Sequence, residues 1–246
     1  MLEMATVAKE GHIPSGLSIL DILWVLYDKI LKIKPKKPDE VNRDIFILSK
    51  GHGSLGLYVV LAKKGFFDER ELDSFCKYES TLGGHPSKNK VPGVEASTGS
   101  LAHGMPMAVG VAMGLKIQNK KSKVFVLIGD GESNEGPVWE SALIASHHKL
   151  DNLCCIIDQN HSSDRALSLG NLEEKFRSFG WKCIVVDGHD QKQLEKAFGV
   201  THTGHPLVII ANTTKGYGVK SMKNNPEWHH KSPNQEELEI LTKELI

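Results

Sequence analysis

What this chain of 246 residues lacks narrows the possibilities first. It has only four cysteines (Cys76, Cys154, Cys155 and Cys183), at spacings that fit neither a disulfide framework nor a zinc site. That usage sets the expectation of a reduced, cytoplasmic setting. Neither sign of charge is in excess, with 30 Lys+Arg against 30 Asp+Glu. A general binder of nucleic acid or of a membrane surface would carry a strongly basic face, so no such partner is expected. No apolar run approaches the roughly 18 residues a membrane span needs. The start, Met1-Leu2-Glu3-Met4, lacks the basic-then-apolar order of a signal peptide. Internal repeats and low-complexity segments are absent too. The hydrophobic content of 40% is that of an ordinary globular chain, which excludes disorder. Histidine (12) and glycine (23) are the notable presences, and their placement carries the functional argument.

The hydrophobic pattern predicts an α/β chain. Leu17, Leu20, Trp24, Tyr27 and Leu31 fall three and four apart, one stripe of an amphipathic helix. Pro35 and Pro38 mark the lysine-rich stretch 34–38 as a loop. Short β-branched and aliphatic runs at 45–48, 124–128, 153–157, 184–186 and 207–210 read as strands. Helical segments at 137–148 and 191–198 separate some of them. Near-continuous apolar strands alternating with helices imply a parallel sheet covered by helices on both faces. Ser232-Pro233-Asn234-Gln235 resembles a capping box with Pro at the first helical position, opening a closing helix over about 233–245. Leu238, Leu241 and Leu245 would form its buried face. Residues 1–246 are expected to be a single domain, since one domain takes about 150 residues or somewhat more.

In open parallel sheets ligands bind beyond the carboxyl ends of strands. Asp130 follows the predicted strand 124–128 and Asn160 follows 153–157. If those strands are neighbours, a carboxylate and an amide oxygen converge, and such hard ligands suit Mg²⁺ or Ca²⁺, particularly one that also holds a diphosphate. Gly129 and Gly131 would let phosphate approach the backbone. Taken alone, Gly129-Asp130-Gly131 reads more readily as a tight turn than as a ligand site; Asn160 at the end of the next strand turns the balance to the metal.

Gly129-Asp130-Gly131 followed by Asn160 resembles the thiamine-diphosphate motif, and its surroundings resemble the N-terminal half of transketolase, above all the split form made of two separate chains. The motifs that carry the resemblance run in the family's order. They are Gly11-His12-Ile13-Pro14-Ser15-Gly16, Ser49-Lys50-Gly51-His52, Gly84-His85-Pro86 and Ser97-Thr98-Gly99-Ser100-Leu101. Next come Gly129 to Gly136, Lys149-Leu150-Asp151-Asn152-Leu153, Lys215-Gly216-Tyr217-Gly218 and Asn225-Pro226-Glu227-Trp228-His229. The resemblance implies a thiamine-diphosphate-binding fold and transfer of a two-carbon ketol unit from a ketose to an aldose acceptor. It implies that Asp130, Asn160 and the backbone carbonyl of Ser162 bind the metal. His52, Gly131, Asn160, Lys215 and His229 would lie near the diphosphate, and Gly99 and Leu101 near the cofactor's rings. His12, His52, His85 and His229 match the family's active-site histidines, imidazole being suited to hydroxyl proton transfer near neutral pH. The other histidines, among them His189 and His230, read as structural.

The same resemblance implies a missing piece. The family's activating glutamate and its substrate-phosphate grip belong to a following domain. The chain is therefore expected to need a C-terminal partner chain, in an α2β2 heterotetramer, and to show no turnover alone. Three departures stand out: Ala102-His103-Gly104 where the family has Gly-Gln-Gly, Ser87 in place of an acidic residue, and a shortened segment after Asn160. The altered segment raises an unusual sugar substrate as a possibility, and also a degenerate, non-catalytic paralogue that scaffolds or regulates a partner. A different-class rival is an NAD-binding oxidoreductase, because Gly51-His52-Gly53-Ser54-Leu55-Gly56 fits G-x-G-x-x-G. The acidic residue it needs should end a second strand, whereas Glu69, Glu71 and Asp73 lie in a polar, helix-like stretch.

Overall fold

In the computed structural model, which describes residues 1–164 and 166–245, the apolar runs pair side by side. Strands β1 (Ile45–Leu48), β2 (Val124–Gly129), β3 (Leu153–Gln159), β4 (Lys182–Asp187) and β5 (Leu207–Asn212) form a parallel five-stranded sheet. Their order is β1-β2-β3-β5-β4. Two cores account for the unbroken apolar strands. Phe125, Leu127, Cys154, Ile156 and Ile209 face one, and Val126, Ile128, Cys155, Ile157 and Ile210 face the other. The adjacent cysteines thus enter opposite cores, as the two-residue period of a strand requires.

Helices α1 (Leu2–Ala8), α2 (Ile13–Leu17), α3 (Leu20–Val25), α4 (Ser54–Lys63), α8 (Gln191–Phe198) and α9 (Gln235–Lys243) contribute to the first core. Helices α5 (Gly104–Ile117), α6 (Gly136–His147) and α7 (Leu172–Ser178) contribute to the second. The parallel sheet with helices on both faces is the architecture its sequence pattern predicts. No helix among the described residues is long and apolar enough to cross a membrane.

Two local expectations are corrected. The stripe from Leu17 to Leu31 is not one helix: α2 stops at Leu17, α3 starts at Leu20, and a π-helical turn runs over Leu26–Ile30. The break occurs where the Ser18 hydroxyl donates to Asp158 Oδ2 (2.9 Å) and Ile19 leaves helical geometry at φ −108°, ψ 0°. Trp24 lies outside the core, with the Lys64 ammonium 4.1 Å from its ring centroid. At the other end, α9 is capped by Asn234 rather than Ser232, and Pro233 precedes the helix. Asn234 Oδ1 accepts from the Glu237 N–H (2.8 Å), while Glu237 Oε2 accepts from the Asn234 N–H (3.0 Å). A cap at Ser232 would have offered Gln235 as the reciprocal partner, without the charge that strengthens such a bond. Leu241 is buried, but Leu245 lies past the helix and is exposed.

Candidate cofactor site at the strand ends

The register sets Gly129, the last residue of β2, beside Asp158, one residue before β3 ends, so Asp130 and Asn160 follow the two strands at the same edge of the sheet. Past β2 the chain tightens into a 3₁₀ turn, Gly131–Asn134. Asp130 folds back over it: Oδ1 accepts from the Gly131 N–H (2.7 Å) and Oδ2 from the His161 N–H (2.5 Å). Past β3, Asn160 Nδ2 donates to Asp158 Oδ2 (2.9 Å), and its Oδ1 accepts from the Ser162 N–H (3.1 Å). A cavity of about 500 Å³ opens above these ends. Its lining includes every residue the sequence singles out: His12, His52, His85, Gly99, Leu101, Asp130, Gly131, Asn160, Ser162, Lys215 and His229. A second cavity of about 330 Å³ adjoins it past Asn160, Ser162, Lys215 and His229.

The histidines arrive on loops held by different elements. His12 leads into α2 and His52 sits in the 3₁₀ turn after β1. Their ring centroids are 5.5 Å apart, and His12 lies 5.7 Å from His229. His85 rests on Gly99, where an added Cβ would lie 3.3 Å from the ring. Burial, then the neighbouring His230, His229 and His85, pulls His12 down to about 4. Burial first, and then Lys50 and His12, depresses His52 further still. Burial and then Lys215 lower His229. Near neutral pH these three rings are therefore uncharged, each with a nitrogen able to accept a proton. The Lys215 ammonium is lowered to about 8 by burial and then by Lys50, with its Nζ 2.7 Å from His229 Nδ1 and 3.5 Å from Ser162 Oγ.

Several residues that shape the site are given no role by the sequence reading. Lys50 and Asp158 form a fully buried ion pair, and the same carboxylate accepts from Ser18, Asn160 and Thr213. Burial raises Asp158, but Lys50 and these hydrogen bonds outweigh it and leave the carboxyl below its ordinary range. Glu132, raised by burial, accepts from the Ser49 hydroxyl, the Ala102 N–H (2.7 Å) and the Gly129 N–H (3.1 Å). It joins the loop after Gly99 to the ends of β1 and β2. His230 stands 4.5 Å from His12, ring to ring, with Nε2 3.3 Å from Glu10 Oε1. Lys50 and Glu132 lie inside family motifs, but no linear signal joins Lys50 to Asp158.

Other candidates fall away. His202-Thr203-Gly204-His205 has the spacing of a metal pair, but its two rings bond backbone carbonyls at 2.9 and 3.0 Å rather than facing a common ion. The G-x-G-x-x-G segment does follow a strand and precede a helix. Glu69, Glu71 and Asp73, however, lie in a 3₁₀ helix and end no strand, so the dinucleotide reading lacks its acidic residue. Ala102 holds φ +69°, a left-handed backbone that favours the glycine it replaces.

No three His, Cys, Asp or Glu side chains among the described residues gather into a self-contained metal site. What lines the cavity instead is a carboxylate only 4% exposed, raised by burial and then by the Asp158 charge, next to an amide oxygen. Such a donor set fits a hard cation that draws further oxygen ligands from a bound diphosphate.

The family described as "Transketolase, thiamine diphosphate binding domain" matches residues 1–245. The chain is 38% identical to one of the subunits of the apulose-4-phosphate transketolase of Phocaeicola vulgatus, covering all of this chain and 89% of that one. It is 42% identical to the protein of the same description from Actinobacillus succinogenes, over 96% of this chain and 87% of the relative. The transketolase structure from Campylobacter jejuni superposes with a TM-score of 0.91 at 32% identity, over 98% of this chain and 40% of that one. The chain thus spans about two fifths of such a solved transketolase. A parallel sheet whose β2 and β3 ends present Asp130 and Asn160, and a family match over nearly its full length, agree: the chain belongs to the transketolase family as its thiamine-diphosphate-binding domain.

Proposed function

We propose that this chain is a single cofactor-binding domain that serves as the N-terminal subunit of a two-chain transketolase. It would move a two-carbon ketol unit from a ketose or ketose phosphate to an aldose, together with a separate C-terminal subunit. The observation that carries the reading is the convergence of Asp130, Asn160, Lys215 and the histidines on one cavity at the strand ends. Relatives described as transketolase subunits, most of whose length the chain covers, support a partner chain; an α2β2 assembly is the form we infer. The free cysteines accord with a reducing, cytoplasmic setting.

In this reading Asp130, Asn160 and the Ser162 carbonyl would hold Mg²⁺ or Ca²⁺. Lys215, His52, His229 and Gly131 would receive the diphosphate, and Gly99 and Leu101 would border the rings. Thiamine diphosphate, once bound, supplies the thiazolium ring that stabilises carbanions. The protein's share is orientation and proton handling. His12, His52, His85 and His229, gathered around one cavity, can take protons from substrate hydroxyls and return them. Glu132 and Asp158 hold the loops that carry these groups.

The test is gentle purification of the tagged chain from its native cell with Mg²⁺ present, followed by mass spectrometry and turnover assays. A co-purifying C-terminal chain together with thiamine diphosphate, and ketol transfer by that complex only, is the expected result. Appreciable turnover by the rigorously purified single chain would refute the two-chain reading. A complex devoid of the cofactor and unable to bind it would refute the site.

A further inference from the structure

We infer that Asp21 and His189 form a positioning relay that holds Lys215 against the diphosphate site, an inference that rests on the proposed reading of that site. His189 lies between β4 and α8, far from the motifs, and its side chain is only 7% exposed. Its Nε2 accepts from the Thr214 N–H (2.9 Å), so that nitrogen carries no proton. The proton therefore sits on Nδ1, which lies 3.1 Å from Asp21 Oδ2 and donates to it. The second oxygen of Asp21 accepts from Gln191 Nε2 (3.1 Å), which fixes the carboxylate in turn. The imidazole face stacks on Tyr217, with centroids 3.6 Å apart and planes 11° from parallel.

Thr214 and Tyr217 bracket Lys215, so the ring grips the turn from two sides. The turn is also tied by backbone, the Gly216 N–H to the Pro14 carbonyl (3.1 Å), the Tyr217 N–H to the Thr214 carbonyl (3.1 Å) and the Asn224 N–H to the Lys215 carbonyl (2.8 Å), and at its start by the Thr213 hydroxyl on Asp158. His189 supplies the side-chain tie directly flanking Lys215, at Thr214 and Tyr217, and Asp21 anchors it to α3. This is the logic by which a carboxylate orients a histidine that in turn orients the residue doing the binding. His189 touches no reacting atom in this scheme; it acts through Lys215, whose ammonium reaches the cavity wall at His229 and Ser162.

The experiment is calorimetric titration of the assembled complex with inorganic pyrophosphate and with thiamine diphosphate, each with Mg²⁺. The variants are His189→Ala, Asp21→Asn, Lys215→Gln and the double variant of His189 and Lys215. His189→Ala should weaken pyrophosphate binding about tenfold, the scale of one lost hydrogen bond. In the Lys215→Gln background the same change should cost little more, because the two act as one unit. His189→Gln, whose amide oxygen can still accept from Thr214, should recover much of the loss. Asp21→Asn, which no longer demands a proton on Nδ1, should weaken binding through the same route and serves if His189→Ala does not fold. Additive losses from His189→Ala and Lys215→Gln, or wild-type binding by both His189→Ala and Asp21→Asn, would overturn the relay while leaving the site intact. A wild-type complex that binds neither ligand would overturn the site reading itself, and the relay with it.

Discussion

Lys50 and Asp158 show how much of this site rests on one residue pair. Both are buried, and the carboxylate also collects Ser18, Thr213 and the Asn160 amide, leaving Asn160 Oδ1 free of Asp158. A buried ion pair adds little net stability, but removing one partner strands the other charge. Lys50→Met is therefore expected to destabilise the chain by about 3–5 kcal/mol. Adding Asp158→Asn should restore part of that loss, because the stranded charge disappears. Denaturant unfolding of the two single variants and the double variant checks this, and a double variant as unstable as the sum of the singles would refute it. The pH dependence has a definite sign. Asp158 is held below its ordinary value of 3.8, so its contribution is present above about pH 4 and is lost as the pH falls through its folded value. The sequence displayed the residues that line the cavity because they sit in loops, where backbone demands make motifs recognisable. It did not display the supports, because Lys50 and Asp158 meet only after β1 and β3 are placed on either side of β2.

At the scale of elements, strand identity was readable because both faces of the sheet are buried, giving apolar runs with little ambiguity. Helix continuity was not: the 17–31 stripe keeps its period across the break, which comes from a hydroxyl recruited by a distant carboxylate. The start of α5 is a place where element packing reaches the site directly. A Cβ on Gly104 would lie 2.4 Å from Ser49 Cβ and 2.6 Å from its Cα, next to the Lys50-Gly51-His52 turn. Gly104→Ala must push α5 away from the end of β1, an overpacking cost of about 1–3 kcal/mol. Gly114, in the same helix, has no atom within 4 Å of such a Cβ. There Gly114→Ala should stabilise by roughly 0.5–1 kcal/mol through helix propensity and a less free unfolded chain. Opposite signs for the two changes in urea unfolding of the isolated chain are expected. A neutral Gly104→Ala would show that β1 and α5 are not locked together.

On the scale of the whole molecule, the cavity and an apolar face form one continuous concern. Leu101 lines the cavity yet is exposed, and the loop past it, through His103, leads into α5. On α5 and the adjoining α6, Met107, Val111, Leu143 and Ile144 are between 37% and 60% exposed. Large exposed apolar side chains gathered on neighbouring helices mark an interaction surface more often than a free one. If the two-chain reading holds, the C-terminal subunit is expected to cover this face and close the cavity above Leu101, which would make docking and cofactor enclosure one event. Val111→Glu and Leu143→Glu should each place a charge in that contact while leaving the chain's own core untouched. The expected outcome is an unchanged unfolding midpoint for the isolated chain, with affinity for the C-terminal chain lowered at least about tenfold if the residue lies in the desolvated centre of the contact. Ultracentrifugation of the variants with that chain measures it. Full-strength assembly by both variants would place the partner on another face, and closure of the cavity would then need a different surface than α5 and α6.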